Sequence, residues 1–475
     1  MKFLKLLICI PFFISCSVNP VTGEKDFVLI SEDAELELGR NYNLQVLQSK
    51  SLYQDQKLQN YVQSIGDSLV QTSHRSNLVY RFKVLDSPEV NAFALPGGYI
   101  FINRGLMAYL SSEEELAAVL GHEIGHVAAR HSVRQISQAK LFNVISYAVA
   151  RQAGSVAGDL TNIGGGALVA GYGREMELQA DSLGAEYMVK KGYSATGMIK
   201  TISILKEHET YSKEVSKRRG SAQPTYHGLF ASHPSNDQRL KEIINKAESL
   251  RNRSIETSPQ DYLKRIERMT FGDSKSSGIR RKNGFYHKDL DIKLTAPDKW
   301  EIINRPSSLT FIAPGGKAFL RISVSDQVRK ESPKDYFNRL ASGEAYDSTE
   351  KQFGGYEIFS TLLVDNSGTS RIAIAFKDKR IFTFYGSTKK NGLDINIFDN
   401  EFKFIIESFR GLEAKEQILA EPLLIKLYKV KKGDSYSFLA TKSDIPYDSE
   451  QKLRLLNGDY PNGSLIPGEW IKIIE

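Results

Sequence analysis

Hydrophobic and polar positions follow different periods in successive stretches of the chain. From Ser31 the period is helical, with Glu32, Asp33, Glu35 and Glu37 in the early turns where the helix dipole favours acidic groups. Residues 56–71 continue in the same style, whereas 78–85 and 99–103 are strand-like, the second following a Pro96-Gly97-Gly98 turn. A further helix is predicted from Ser112, which forms a capping-box pattern with Glu115 and precedes apolar residues at 116, 119, 120, 124 and 127. Another is predicted over 172–191, stopped by Gly192, and helical character dominates to about Arg251 apart from a glycine-rich interruption at 164–166.

Residues 254–278 lose periodicity and read as a linker. Beyond Gly278 strict alternation at 290–294, 319–324 and 372–376 predicts strands, with a helix-like piece at 336–341. The last segment has a strand-turn-helix-turn-strand rhythm from about Tyr428. The expected fold class is therefore α+β. A mainly helical domain with a small sheet (31–253) precedes an α+β domain (279–412) and a small βααβ module (413–475).

Composition narrows the chemistry. The 475 residues are 41% hydrophobic and 25% charged, ample for several cores, and a net charge of +7 on 63 basic and 56 acidic residues gives no one-sided basic footprint for nucleic acid. Both cysteines, Cys9 and Cys16, lie within the first sixteen residues, which excludes a disulfide framework, a Cys-ligated zinc and a thiol nucleophile in the body of the protein. Residues 1–16 read as Lys2 and Lys5, an apolar run too short to span a bilayer, then Ser15-Cys16: an export signal. Its end resembles the lipobox of bacterial lipoproteins, in which Cys16 would carry the lipid and 17–30 would be a polar tether. The apolar patches at 141–150 and 163–170 are expected to be buried helices.

His122-Glu123-Ile124-Gly125-His126 fits H-E-x-x-H within a predicted helix. Residues four apart share a helix face, so both imidazoles can address one ion while Glu123 reaches a water on it. His131, nine residues after His122 and so about 180° round the helix, is expected to face away as a surface or packing histidine. A catalytic zinc requires a third protein ligand and an open position. Glu177 is the leading candidate, with Glu175 competing from the same helix, and Asp181, four residues after Glu177, can accept the free N–H of a ligand histidine. Tyr172, Tyr226 and Arg174 are candidate oxyanion donors.

H-E-x-x-H followed by E-x-x-A-D at 177–181 resembles the gluzincin metallopeptidases related to the CAAX prenyl protease, including the periplasmic BepA-like proteases. Asn19-Pro20-Val21-Thr22-Gly23, the stretch Asn91-Ala92-Phe93-Ala94-Leu95-Pro96-Gly97-Gly98, and Ser232-His233-Pro234 with Arg239 are similar to further elements of that family. The resemblance implies a zincin fold over the helical domain, one Zn²⁺ per chain on His122, His126 and Glu177, Glu123 as catalytic base, and Asp181 orienting His122. It also implies His233 as a candidate self-inhibitory fourth ligand, and Asn91, Ala92, Phe93 and Ala94 as an edge strand to which an extended substrate adds its backbone. Residues 428–474, with Gly433-Asp434 and Pro467-Gly468 at the turns, resemble a LysM module, which implies attachment to peptidoglycan.

The expected function is a zinc metalloendopeptidase of the bacterial envelope, lipid-anchored through Cys16 on the periplasmic face of the outer membrane. It would act on misfolded or stalled envelope proteins. The alternatives are a latent protease serving as a peptidoglycan-associated scaffold or chaperone, and a peptidoglycan hydrolase using the same zinc.

Overall fold

The computed structural model describes residues 16–139, 171–218, 237–250, 258–305, 308–366, 368–388 and 394–475. The chain divides into two compact units. Met1–Leu106, Ser112–Leu205 and Tyr226–Pro259 form the first, and Met107–Ser111, Lys206–Thr225 and Gln260–Glu475 the second.

In the first unit the expected polar tether is a hairpin of β1 (Cys16–Val18) and β2 (Lys25–Phe27), paired in the register Val18↔Lys25. Asn19 makes the turn: its carboxamide oxygen accepts from the Val21 amide at 2.8 Å, its nitrogen donates to Asp26 at 2.7 Å, and Gly23 supplies a positive φ of 72°. Helices Glu32–Ser49 and Gln56–Val70 follow, each started by a side-chain cap, Ser31 and Asp55. Next come β3 (Arg81–Leu85), β4 (Ala92–Leu95) and β5 (Tyr99–Asn103), in the order β3-β5-β4 with β3 parallel and β4 antiparallel to β5. The stretch expected to be an edge strand is thus at the sheet edge, and Ala92, Ala94 and Leu95 are buried.

The helix Glu113–Ala128 runs through the core. Ser112 caps it as expected, and every residue from Glu115 to Ala128 is buried. It packs on helix Arg174–Lys190 through small residues that let the backbones approach. A Cβ on Gly125 would lie 3.0 Å from the Ala180 carbonyl oxygen, and one on Gly184 would lie 2.7 Å from the His122 nitrogen. Glycine within the H-E-I-G-H segment is therefore a packing requirement, and it draws the second helix close to the histidines. Helix Asp237–Ser249 packs against Arg174–Lys190 from another side.

In the second unit the supposed linker is structured. Helix Pro259–Ile266 buries Tyr262, Leu263 and Ile266, and β6 (Thr270–Phe271) follows it. Strands β7 (Ile279–Arg281), β8 (Gly284–His287) and β9 (Ile292–Thr295) form a small antiparallel sheet. A seven-stranded antiparallel sheet comprises β10 (Glu301–Arg305), β11 (Ser308–Ile312), β12 (Ala318–Asp326), β13 (Glu344–Phe353), β14 (Tyr356–Asp365), β15 (Gly368–Lys377) and β16 (Arg380–Thr388). Its order is β10-β11-β12-β16-β15-β14-β13. Trp300, Phe311, Phe382, Phe384, Phe402 and Phe409 form the centre of its core.

Residues 413–475 fall within this same unit. They carry β17 (Leu423–Lys429), helices Tyr436–Thr441 and Ser449–Asn457, and β18 (Trp470–Ile474), the βααβ order read from the sequence. β17 pairs with β18 on one side and with β6 on the other. Among the described residues no helix is long and apolar enough to cross a membrane, and the apolar patches at 141–150 and 163–170 lie outside them.

Candidate metal centre

Three side chains from two helices converge in the first unit. His122 and His126, one turn apart on Glu113–Ala128, place their Nε2 atoms 3.0 Å from each other. Glu177, in the first turn of Arg174–Lys190, puts its carboxylate oxygens 3.6 Å from His122 Nε2 and 3.4 Å from His126 Nε2. All three are buried, and their ligand atoms lie within 4.8 Å of one another. Tetrahedral zinc with bonds of about 2.0–2.2 Å holds its ligand atoms about 3.3 Å apart, close to the three separations found here. Glu175, the competing carboxylate, is exposed on the same helix.

The outer contacts set the tautomers. Asp181, one turn beyond Glu177, accepts from His122 Nδ1 at 2.8 Å, which leaves Nε2 as the electron-pair donor. Burial alone would push the Asp181 carboxyl up. The Arg239 guanidinium, through its charge and hydrogen bonds, together with His122, outweighs that and holds it below the usual carboxylate range. Arg239 lies in the buried fork between the two acids: Nε donates to Asp181 at 2.7 Å, and an Nη contacts Glu177 at 3.0 Å. In the sequence Arg239 is legible only as part of the distal Ser232-His233-Pro234 motif, where nothing local marks it as a partner of the metal site.

His131 departs from the sequence expectation. The helix stops at Ala128, Arg130 takes a left-handed turn with φ 55°, and residues 131–139 start a new helical stretch. His131 therefore returns beneath the site, fully buried, with its Nδ1 2.8 Å from His126 Nδ1 and its Nε2 2.9 Å from Gln179 Oε1. Burial is the main reason its pKa falls to about 4, which keeps it neutral. With Nε2–H donating to Gln179, its Nδ1 is the acceptor for His126 Nδ1–H, and His126 Nε2 is left to face the site. Burial likewise holds His126 well below the ordinary histidine range, as a neutral metal-binding imidazole requires.

The turn at Arg130 is fixed from a distance. Glu35, buried in the first helix, accepts from Arg130 Nε at 2.8 Å and from Arg75 at 2.7 Å, and Arg75 also donates to the Val127 carbonyl at 3.2 Å. Tyr172 closes the far side, its ring stacked on His126 at 4.0 Å and its hydroxyl 2.6 Å from Ser132 Oγ. Of the candidate oxyanion donors, Tyr172 is thus engaged with Ser132, Arg174 is exposed, and Tyr226 lies outside the described residues, as does His233.

Glu123 is buried and, with His122, lines a small cavity whose other walls include Leu106, Val119, Met198 and Ile202. The donor set fits a divalent cation. Three carboxylates (Glu123, Glu177 and Asp181) accompany one guanidinium (Arg239), a formal excess of two negative charges that such an ion would cancel.

Residues 56–247 match the profile of Peptidase family M48. This segment is a Peptidase family M48 domain. A beta-barrel assembly-enhancing protease of Yersinia pestis is 27% identical over 256 residues, covering 51% of this chain and 50% of the relative. The mitochondrial metalloendopeptidase OMA1 of Schizosaccharomyces pombe is 30% identical over 186 residues, 37% of this chain and 53% of that protein. Metalloprotease YcaL of Escherichia coli K12 is 27% identical over 205 residues, 42% of this chain and 73% of that protein. The chain spans about half the length of the first two of these relatives. The M48 segment contains the whole constellation from His122 to Arg239, whereas Glu35, which fixes the Arg130 turn, precedes it.

Proposed function

We propose that the M48 domain is a zinc-dependent metalloendopeptidase with His122, His126 and Glu177 as ligands and Glu123 as general base. The convergence of two tautomer-fixed imidazoles and a buried carboxylate beside Glu123 carries this reading. Zinc bound there would supply Lewis-acid activation of a water and of the scissile carbonyl. Glu123 takes the proton from the attacking water and passes it to the leaving amine. Arg239 and Asp181 hold Glu177 and His122 in place through the cycle, and His131 does the same for His126.

Its relatives are proteases and a metalloendopeptidase, which supports polypeptides as the substrates. Misfolded or stalled envelope proteins are the proposed targets, with Ala92–Leu95 as the strand along which an extended chain adds. Lipidation at Cys16 would place the enzyme at the periplasmic face of the outer membrane, and residues 428–474 would engage peptidoglycan as a LysM-like module. The deciding experiment pairs zinc content with cleavage of an unfolded protein by wild type and Glu123→Gln. The expected result is one zinc in each, and chelator-sensitive cleavage by wild type only. Zinc in both without cleavage in either would favour the latent scaffold, and equal cleavage by both would remove Glu123 from the mechanism.

A further inference from the structure

We infer that the second unit contains a binding site for a small amphipathic carboxylate, in a cavity of about 340 Å³ between the β7-β8-β9 sheet and one end of the seven-stranded sheet. Its apolar wall includes Phe285, Leu294, Ile322 and Phe382. Arg305 and Arg380 line it as well, and no aspartate or glutamate does.

The position of Arg380 is unusual for its strand. Along β16 the residues Arg380, Phe382 and Phe384 alternate onto one face, and the two phenylalanines are buried in the core. Arg380 therefore extends the core-facing row of the sheet as a cation. Its cross-strand neighbours continue the same picture. Val324, paired with Phe382, is 44% exposed although it follows buried Ile322 and Leu320 on that face, so the apolar row runs out into open cavity.

Charge pairing separates these two arginines from others in the unit. Arg280 pairs with Asp273, Arg371 with Asp399 and Arg410 with Glu416. Among the described residues neither Arg305 nor Arg380 makes an ion pair, although Asp326 stands opposite Arg380 in the register. A cavity with an apolar wall, two guanidinium groups and no acidic lining is complementary to an anion attached to an apolar body. Guanidinium geometry favours a carboxylate, which it can grip by two parallel hydrogen bonds. The volume is at the small end of ligand pockets, enough for one aromatic side chain or a short alkyl chain. Two sources share that chemistry, a free fatty acid and the C-terminal residue of a polypeptide that ends in an apolar side chain.

The test is calorimetric titration of the full chain with decanoate and with N-acetylphenylalanine, each beside its neutral amide. At least one acid is expected to bind about tenfold or more tightly than its amide, the worth of a charge-assisted hydrogen bond. Arg380→Met and Arg305→Met are each expected to remove most of that preference while leaving the circular dichroism spectrum unchanged. Tighter binding of decanoate identifies a lipid source, and tighter binding of N-acetylphenylalanine a chain terminus. Equal binding of acid and amide, no binding of either acid at millimolar concentration, or an acid preference that survives both substitutions overturns the inference. Arg305 is exposed at a strand end, so Arg305→Met and the acid-amide comparison remain decisive if Arg380→Met fails to fold.

Discussion

His131→Leu removes the acceptor of the His126 Nδ1–H inside a fully buried setting. Leucine fills a similar volume, so the change is chiefly electronic. A buried donor left without its acceptor costs about 1–3 kcal/mol. In zinc-free protein the His126 imidazole can take its other tautomer, so the loss falls mainly on the metal-bound state. At about 1.4 kcal/mol per tenfold, zinc binding should weaken about 5- to 150-fold. Substitutions of hydrogen-bond partners behind metal ligands give a similar range, about 10- to 100-fold. The assay is zinc competition against a chromophoric chelator, with thermal unfolding of the zinc-free proteins as a control for folding. His131→Asn, whose carboxamide oxygen can stand near the Nδ1 position, should recover much of the affinity. Wild-type zinc affinity in a folded His131→Leu protein would refute the argument.

Gly184→Ala should separate the two site helices, because the added methyl would lie 2.7 Å from the His122 nitrogen. The expected loss is about 1–3 kcal/mol of stability together with weaker zinc binding, and retention of both in denaturant melts and metal titration would count against close helix approach as a requirement. Arg239→Met leaves Glu177 and Asp181 without their buried counter-charge, a change that costs about 3–5 kcal/mol and should appear as a lowered chemical-denaturation midpoint. In the second unit, burial and the nearby Asp459 raise the Glu207 carboxyl to about 7. Between its ordinary range and that value the folded chain keeps a proton that the unfolded chain has released, so stability should fall as pH rises from about 4.5 to 7. Glu207→Gln should flatten that part of the stability–pH curve, and an unchanged slope would dismiss Glu207 as its source.

What could be read from the sequence was local. His122 and His126 share a face because the helical period is a property of the backbone itself, and the same spacing sets Glu177 and Asp181 on one face of the next helix. Ser112 and Asp55 cap helices through bonds spanning three residues. Helix Pro259–Ile266 also left a local signal, a proline at its first position and buried residues at 262, 263 and 266, within a stretch that looked aperiodic as a whole.

The tertiary structure decided the rest, through contacts between residues far apart in sequence. His131 would face away on a straight helix. It faces the site because Arg130 turns left-handed against Glu35, ninety-five residues earlier, an ion pair that no helical period encodes. Choosing Glu177 over Glu175 required the close approach of two helices at Gly125 and Gly184, since the residues are only two apart and either could have been the one turned inward. Arg239 gained its role the same way, with its guanidinium between two acids about sixty residues upstream. The two histidines, their spacing and the pair of competing glutamates came from the chain alone. The direction in which each imidazole offers its electron pair was fixed only when Asp181, His131, Gln179 and Arg239 were folded against them, because a tautomer is set by the partner on the far nitrogen.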